Sequence, residues 1–477
     1  MRYLLRVVLL VVVAFVFPAI PPASAQALGD VCGNDNSTAD QQIPACTQLI
    51  QNGTLTGNNL AVAYDDRGLA YANKGQYDAA IVDYTKAISI NPSDKYAYNN
   101  RGNAYYNKSQ YDLAIPDYTS AIGIDASYST AYYNRGLAHV QKGEYDLAIA
   151  DETKSISLDA SYSKAYIERG IAYDDKDQYD LAIADYTKAA NLTPNNAIIY
   201  NDRGNAYRQS GQFSLAVADY TKALELDPNY TYAHNGRGLA YVEQEKYDLA
   251  IAEYTKAIAI DPSYLRARVN RGIAYDHKGR YDLAIADYTA VLKVDPKNTG
   301  AYNDRSFAYH SQGHDDLAIA DSSRAIALAP GAEFGYFERG MDLTGLGRFP
   351  AAALDFAHAA KLDPTDAYSV LWLHIANLRA GATDTKSFAT KAAALDSVKW
   401  PAPVVALYLG KKTPAQAMAA AKTAGQRCEV LFYGAELQLA RHRTAAALGP
   451  LKLAAKTCPL NYIEHAGALA ELRHARP

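Results

Sequence analysis

The chain has 477 residues and a formal net charge of −4, with 47 basic and 51 acidic side chains. Because the two signs are interspersed, there is neither a basic stripe to neutralise phosphates nor a polyanionic tail, which argues against nucleic acid as a partner. The length exceeds that of one compact domain, but an array of repeats grows by addition and need not divide into globular pieces.

Residues 1–25 have the pattern of a secretory signal peptide. Arg2 and Arg6 precede the apolar run VVLLVVVAFVF, a Pro-containing stretch follows, and Ala23-Ser24-Ala25 supplies a small-residue cleavage site. The apolar core is short for a membrane span, and no later stretch approaches about 18 apolar residues. The mature chain is therefore expected to be exported, periplasmic or secreted, and without a membrane span. Cys32 follows Gly29-Asp30-Val31, not the short Leu and small-residue motif that a bacterial lipid anchor requires. The cysteines fall in two sequence-local pairs, Cys32 with Cys46 and Cys428 with Cys458, and in an oxidising compartment disulfides are expected before metal ligation. Residues 26–60, with the first pair, are assigned to an N-terminal cap.

From residue 61 to 366 the chain repeats itself every 34 residues. Arg-Gly recurs from Arg67-Gly68, Arg101-Gly102 and Arg135-Gly136 through Arg271-Gly272 to Arg339-Gly340, with Arg305-Ser306 in the remaining slot, giving nine units framed 61–94 to 333–366. A period of this length signifies a helical solenoid. In each unit a first helix such as YNNRGNAYYN leads into a turn such as Lys-Gly-Gln, where glycine accepts the left-handed backbone that ends a helix. A second helix of the type YDLAIADYTKAI follows, with apolar positions at three- and four-residue spacing. An alanine stands twelve positions after every glycine slot, from Ala80 to Ala352, so the two helices are expected to cross closely there. Proline closes several units at Pro92, Pro228, Pro262 and Pro296. An acid lies sixteen residues beyond each Arg, at Asp83, Asp117, Asp151, Asp185, Asp219, Glu253, Asp287, Asp321 and Asp355. If the second helix runs antiparallel to the first, residues equidistant from the turn stand at the same height, and a repeated Arg–carboxylate bridge is expected within a unit or to its neighbour.

These nine units resemble the tetratricopeptide repeat in their aromatic, Gly, Tyr, Ala, aromatic, Ala and Pro slots; the family's usual Leu before the glycine is Arg here. The resemblance implies an all-α fold, a right-handed superhelical solenoid of helix-turn-helix repeats with capping helices at both ends. IPACTQLIQNG has the look of the second helix of an incomplete leading unit, with Cys46 in the slot that Tyr84 fills.

Residues 367–477 lose the strict period but stay helical in pattern. CEVLFYGAELQLARHRTAAALGPLKLAAKTCP aligns with a repeat if Ala435 takes the glycine slot and Ala447 the small crossing slot. Cys428 then opens the first helix and Cys458 closes the second, at the open end of a hairpin. The region is expected to be a packed continuation of the solenoid. VLWLHIANL, the stretch from Trp400 through VVALYLGKKTPAQ, FYGAELQLA and NYIEHAGALAEL are similar in order and spacing to the C-terminal part of the NlpI type of periplasmic tetratricopeptide adaptor. That resemblance implies a Gram-negative envelope scaffold, often dimeric, that brings peptidoglycan hydrolases to an envelope protease.

No catalytic constellation is legible: there is no Gly-x-Ser-x-Gly, no His-Glu-x-x-His, no phosphate-cradling loop and no Cys-x-x-Cys, so neither enzyme nor cofactor is expected. Asp276 and His310 share one slot in adjacent repeats with His277 and His314 nearby, and Asp174-Asp175-Lys176-Asp177 is rich in acids; both are assigned to solvated groove and turn positions instead of metal. The functional surface is placed on the first helices, on the side that the family's superhelix turns toward a groove. It comprises Tyr96, Asn99, Asn103, Tyr106, Tyr133, Asn201, Asn205, Tyr232, Asn235 and Asn303. Amides both donate to and accept from an extended peptide backbone, and tyrosines add rigid contact area. No repeat has Lys in the slot of Asn99, where cochaperones of the family clamp a terminal carboxylate. The expected function is that of a non-enzymatic scaffold binding peptides or proteins. An accessory protein that binds glycan or metal in support of cell-wall hydrolysis, or a self-assembling rod, are the alternatives.

Overall fold

The structure is a computed structural model that describes residues 25–34, 36–382 and 385–474. The leader read in residues 1–25 lies outside the described residues except for Ala25, which opens the first helix, Ala25–Cys32. The chain divides into two compact units, 1–195 and 196–477. Both are all-helical stacks of hairpins, with no strand among the described residues.

In the first unit, helices Ala25–Cys32 and Ala39–Gln51 precede four hairpins: Gly57–Asn73 with Tyr77–Ile90, Lys95–Asn107 with Tyr111–Ile124, Ser129–Gln141 with Tyr145–Leu158, and Ser163–Asp174 with Tyr179–Leu192. A disulfide joins Cys32 to Cys46 with the Cα atoms 4.9 Å apart. Thr47 accepts from Arg67 Nη1 (3.0 Å) as Thr85 does from Arg101 Nη1 (3.1 Å), which places Cys46 in register with Tyr84. The second unit continues with Ala197–Gln209 and Phe213–Leu226, Thr231–Val242 and Tyr247–Ile260, Leu265–His277 and Tyr281–Val294, Thr299–Gln312 and Asp315–Leu328, and Glu333–Gly345 and Phe349–Leu362.

One device recurs in nearly every hairpin. The tyrosine sixteen residues after the glycine lies with its ring on that glycine, so that a Cβ added at Gly68, Gly102, Gly170, Gly204, Gly238 or Gly272 would stand only 2.5–2.9 Å from the ring edge. These tyrosines, Tyr84 to Tyr288, are fully buried together with the alanines of the crossing slot, such as Ala80 and Ala114. The glycine is therefore a packing requirement of the second helix, and no residue with a Cβ fits without displacing the ring. Beside it the guanidinium of each slot Arg forms a two-pronged bridge to its acid at 2.7–2.8 Å, as in Arg101–Asp117 and Arg271–Asp287, while Nη1 donates to a hydroxyl of the preceding hairpin. The Arg–carboxylate bridge thus lies within the unit, and the same guanidinium reaches the neighbouring unit through a hydroxyl. Arg237 with Glu253 is the variant pairing, in which Nη2 donates at 2.8 Å and His234 Nδ1 also meets Glu253.

At the turn, Gly75, Gly143, Gly211 and Gly279 take the left-handed backbone, with φ from 66° to 77°. Ser109, Asp177 and Glu245 occupy the same corner at φ 57–58° without being glycine.

After residue 366 come helices Ala367–Arg379, Thr385–Ala392, Ala402–Tyr408, Pro414–Ala420, Ala424–Leu439, Thr444–Thr457 and Ile463–His474. Their core is one cluster in which Trp372 stacks on Phe356 and abuts Phe432, its indole N–H donating to Tyr433 Oη at 3.1 Å. Cys428 and Cys458 are bonded, with Cα atoms 5.1 Å apart, across the open end of the hairpin Ala424–Leu439 and Thr444–Thr457. The last helix does more than extend the stack. It packs on Thr444–Thr457 and also against Glu333–Gly345, and Leu460 just before it accepts from the Tyr281 hydroxyl at 2.9 Å. Gly467 permits this return, since a Cβ there would lie 2.8 Å from the Phe432 ring.

Candidate ligand-binding face

Ten first-helix residues were expected to face a ligand, and the structure divides them by what their side chains already hold. Slots three and two residues before the glycine meet between consecutive hairpins: Asn134 donates to Asn99 Oδ1 at 2.8 Å, and Asn270 to Asn235 Oδ1 at 2.9 Å. Asn99, Asn201 and Asn235 are buried, and Asn201 donates to Asp202 at 3.1 Å. Asn103 and Asn205 accept from the Tyr118 and Tyr220 hydroxyls at 2.8 and 2.7 Å. The spacing between first helices is short enough for one amide to reach the next, so most of the asparagines join the stack to itself. For Asn99 and Asn235 the sequence pattern carries no sign of this, because the partner lies 35 residues away.

The tyrosines fare differently. Tyr96 and Tyr232 are 55% and 60% exposed, each meeting a tyrosine of the next hairpin edge-on, Tyr128 at 5.5 Å and Tyr264 at 5.4 Å between ring centroids. Tyr106 and Tyr133 are half-buried in similar contacts with Tyr111 and Tyr162.

Asn303 differs from the other asparagines. Its Oδ1 is buried without a hydrogen-bond partner, and it lines a cavity of about 660 Å³. The floor comes from three consecutive first helices, with Ile273, Asp276, Asn303, Phe307 and Phe337 on the predicted slots and Asp304 and Glu338 beside them. Tyr368 and Glu429 form one wall, and the returning segment Asn461–Glu464 another. Tyr368 Oη and Trp400 Nε1 both donate to Glu429 Oε2 at 2.8 Å, and Tyr433 Oη to Glu464 Oε1 at 3.0 Å.

Burial in this cavity pushes the carboxyls up: Asp276 and Glu338 to about 8, with Asp304 adding repulsion to each, Asp304 to about 6 and Glu464 to about 7. Sequence reasoning singled out Asp276 and Asn303 but missed Asp304, Glu338 and the C-terminal wall. The acids stand next to the predicted slot, and the wall is brought in by a return of the chain that repeat periodicity does not announce.

Asp276 and His310, expected as solvated groove positions, are instead buried, 5% and 3% exposed, and paired within the protein. His310 Nδ1 meets Asp315 Oδ1 at 2.7 Å, and Asp276 Oδ2 accepts from Tyr288 Oη at 2.6 Å. Among the described residues no group of three or more His, Cys, Asp or Glu is arranged to hold a metal ion, and no helix is long and apolar enough to cross a membrane.

Family models described as TPR repeat match residues 68–109, 102–143, 172–209, 204–245 and 238–276, and models described as tetratricopeptide repeat match 129–162 and 266–298. No curated protein matches significantly. Among solved structures, YrrB, described as a TPR protein with an unusual peptide-binding site, is 26% identical, with 39% of this chain and 95% of that one covered at a TM-score of 0.35. MamA is 29% identical over 34% of this chain and 94% of its own, with a TM-score of 0.33. A tetratricopeptide repeat protein from Parabacteroides merdae is 21% identical over 52% of this chain and 98% of its own, with a TM-score of 0.44.

Proposed function

The chain belongs to the tetratricopeptide-repeat family, whose repeats make protein-interaction scaffolds, and from that premise we propose that it is a non-catalytic adaptor of the Gram-negative cell envelope that seats an extended segment of a partner on its first helices. The observation that carries this reading is the cavity over Asp276, Asn303, Phe307 and Phe337, which opens on the same slots that the repeat pattern assigns to ligand. Its size falls in the range of about 300–1,000 Å³ typical of pockets that enclose a ligand. The exposed Tyr96 and Tyr232 offer further aromatic contact on the same slots of other repeats.

The leader-like residues 1–25 and the pairing of all four cysteines support an exported, oxidising location. The C-terminal likeness to the NlpI type supports an envelope setting, with a protease or peptidoglycan hydrolases as the partner class.

Two measurements test the proposal. Fractionation with N-terminal sequencing of the mature protein should find it outside the cytoplasm and beginning at or near Gln26; a cytoplasmic, full-length product would refute the localisation. Fluorescence anisotropy with an array of extended peptides should find binders that lose at least ten-fold in affinity on Phe307→Ala or Phe337→Ala. Binding indifferent to both substitutions would place the partner surface elsewhere.

A further inference from the structure

The cavity described above has a composition that specifies its occupant. Its polar lining is acidic from every side. Asp276 comes from Leu265–His277, Asp304 from Thr299–Gln312, Glu333 and Glu338 from Glu333–Gly345, Glu429 from Ala424–Leu439, and Glu464 from the last helix, with Asp366 at the rim. Asp366 is engaged, capping the helix Ala367–Arg379 through the amides of Tyr368 and Ser369. The remaining titratable groups that face the space are His277, whose pKa burial lowers, and the hydroxyls of Tyr288, Tyr368 and Tyr462, which burial raises. None of the described lining residues is Lys or Arg. Between the carboxyls lie apolar and aromatic surfaces, chiefly Ile273, Phe307, Phe334, Phe337 and Ile463.

A cluster of acids can be a solvated accident, but four members of this one, Asp276, Glu338, Glu429 and Glu464, are buried. Asp276 is only 5% exposed, and its Oδ1 is buried without any hydrogen-bond partner although Oδ2 is taken by Tyr288; Asn303 Oδ1 is in the same state. A buried acceptor left unmade costs stability, and native structures retain few such groups. Two buried, unpartnered acceptors on the wall of one cavity mark where a ligand's donor can bind. Because the carboxyls around it face no Lys or Arg and the walls are aromatic, the donor that fits is positively charged, on an apolar stem.

We infer that this cavity receives an ammonium or guanidinium group on an aliphatic stem: the side chain of a lysine or arginine in the partner, or a free polyamine of the same chemistry. The inference rests on the scaffold reading above and adds to it the ligand chemistry of one subsite. In the empty cavity Asp276 and Glu338, raised to about 8, hold protons at neutral pH, so a cation must displace them, and its binding strengthens as pH rises through 6 to 8. An alkylammonium with a pKa of about 10.4 keeps its charge throughout that window.

Isothermal titration of the full mature chain tests this with three probes: a blocked hexapeptide with one central lysine, its norleucine counterpart, and 1,5-diaminopentane. The lysine peptide is expected to bind at least ten-fold more tightly than the norleucine peptide at pH 8. It should release protons on binding and lose ten-fold or more in affinity on Asp276→Asn combined with Glu338→Gln. That double variant removes two buried acids and should melt no lower than the parent, so lost binding cannot be ascribed to unfolding. Binding of the diamine alone assigns the cavity to free polyamines, whereas binding of the peptide assigns it to a partner side chain. Equal binding of the lysine and norleucine peptides, or no binding of any probe, overturns the cation assignment. In the first case the peptide-scaffold reading survives; the response to Phe307→Ala and Phe337→Ala decides it in the second.

Discussion

Glu152 offers the sharpest test of the packing described here. It sits in the slot that Tyr118 and Tyr186 fill in the flanking hairpins, against Gly136, with 0% of its surface exposed and both carboxyl oxygens unpartnered. Burial pushes its pKa from 4.5 to about 10, aided by Glu168 and Asp151 and opposed by Arg169. The folded chain therefore keeps the proton, while the unfolded chain releases it above pH 4.5. Stability attributable to this group is whole in acid and declines as pH rises from there toward 10. At about 1.4 kcal/mol per pH unit, the two and a half units between 4.5 and 7 cost about 3 kcal/mol, and by pH 8 the cost reaches about 5 kcal/mol.

Glu152→Gln keeps the shape and removes the ionisation. The variant should gain less than about 1 kcal/mol at pH 5, about 3 at pH 7 and more at pH 8. Urea unfolding followed by circular dichroism at the three pH values measures the difference, and hydrogen exchange in Ser129–Gln141 and Tyr145–Leu158 shows whether it is local. All other titrating groups are common to both proteins and cancel. A gain that does not grow with pH, or no gain at all, would refute the assignment of a neutral, stranded carboxyl at this slot.

Two further outcomes follow from the repeated device. Arg101→Met leaves Asp117, which is buried, without its two-pronged partner and deprives Thr85 of its donor, at a cost of about 2 to 3 kcal/mol in chemical denaturation; an unchanged midpoint would mean that the bridge is no more than a surface ion pair. Glu245→Gly relieves the left-handed backbone at φ 57° and should raise stability by about 1 kcal/mol net of glycine's chain entropy, whereas Gly279→Glu at the equivalent corner should lower it; calorimetric midpoints of the two variants should move in opposite directions.

Much of the fold is legible because the signals are local or exactly periodic along the chain. Thirty-four-residue spacing fixes the hairpins, glycine and proline fix their ends, and a charge pair at a separation of sixteen can be derived from antiparallel geometry alone. The Tyr–Gly contact has the same spacing and could have been derived by the same argument. Harder to see is which polar side chains the stack consumes. Asn99 and Asn103 look alike as free amides in sequence, yet one is taken by the next first helix and the other by the tyrosine of its own hairpin. The chamber was hardest of all, since its acids become a site only when residues 461–464 return to cover them.

Departures from the repeat separate into kinds by whether anything answers them. In the eighth repeat Ser306 and Ser322 replace the glycine and the tyrosine, and Asp342 from the next hairpin fills the space, accepting from both hydroxyls at 3.0 and 2.8 Å. That substitution is compensated within the core. Glu152 is answered by no hydrogen-bond partner, so its ionisation penalty falls on folding. Asp276 is answered only at Oδ2, by Tyr288, and its unpartnered Oδ1 lies at a space large enough for a ligand. The cost of burying it is recovered when a cation arrives, which converts a local instability into affinity. The same test, charge removal, therefore has opposite functional meanings at the two positions. Glu152→Gln should stabilise the chain and leave binding intact, while Asp276→Asn should stabilise it and abolish preference for the cationic probe.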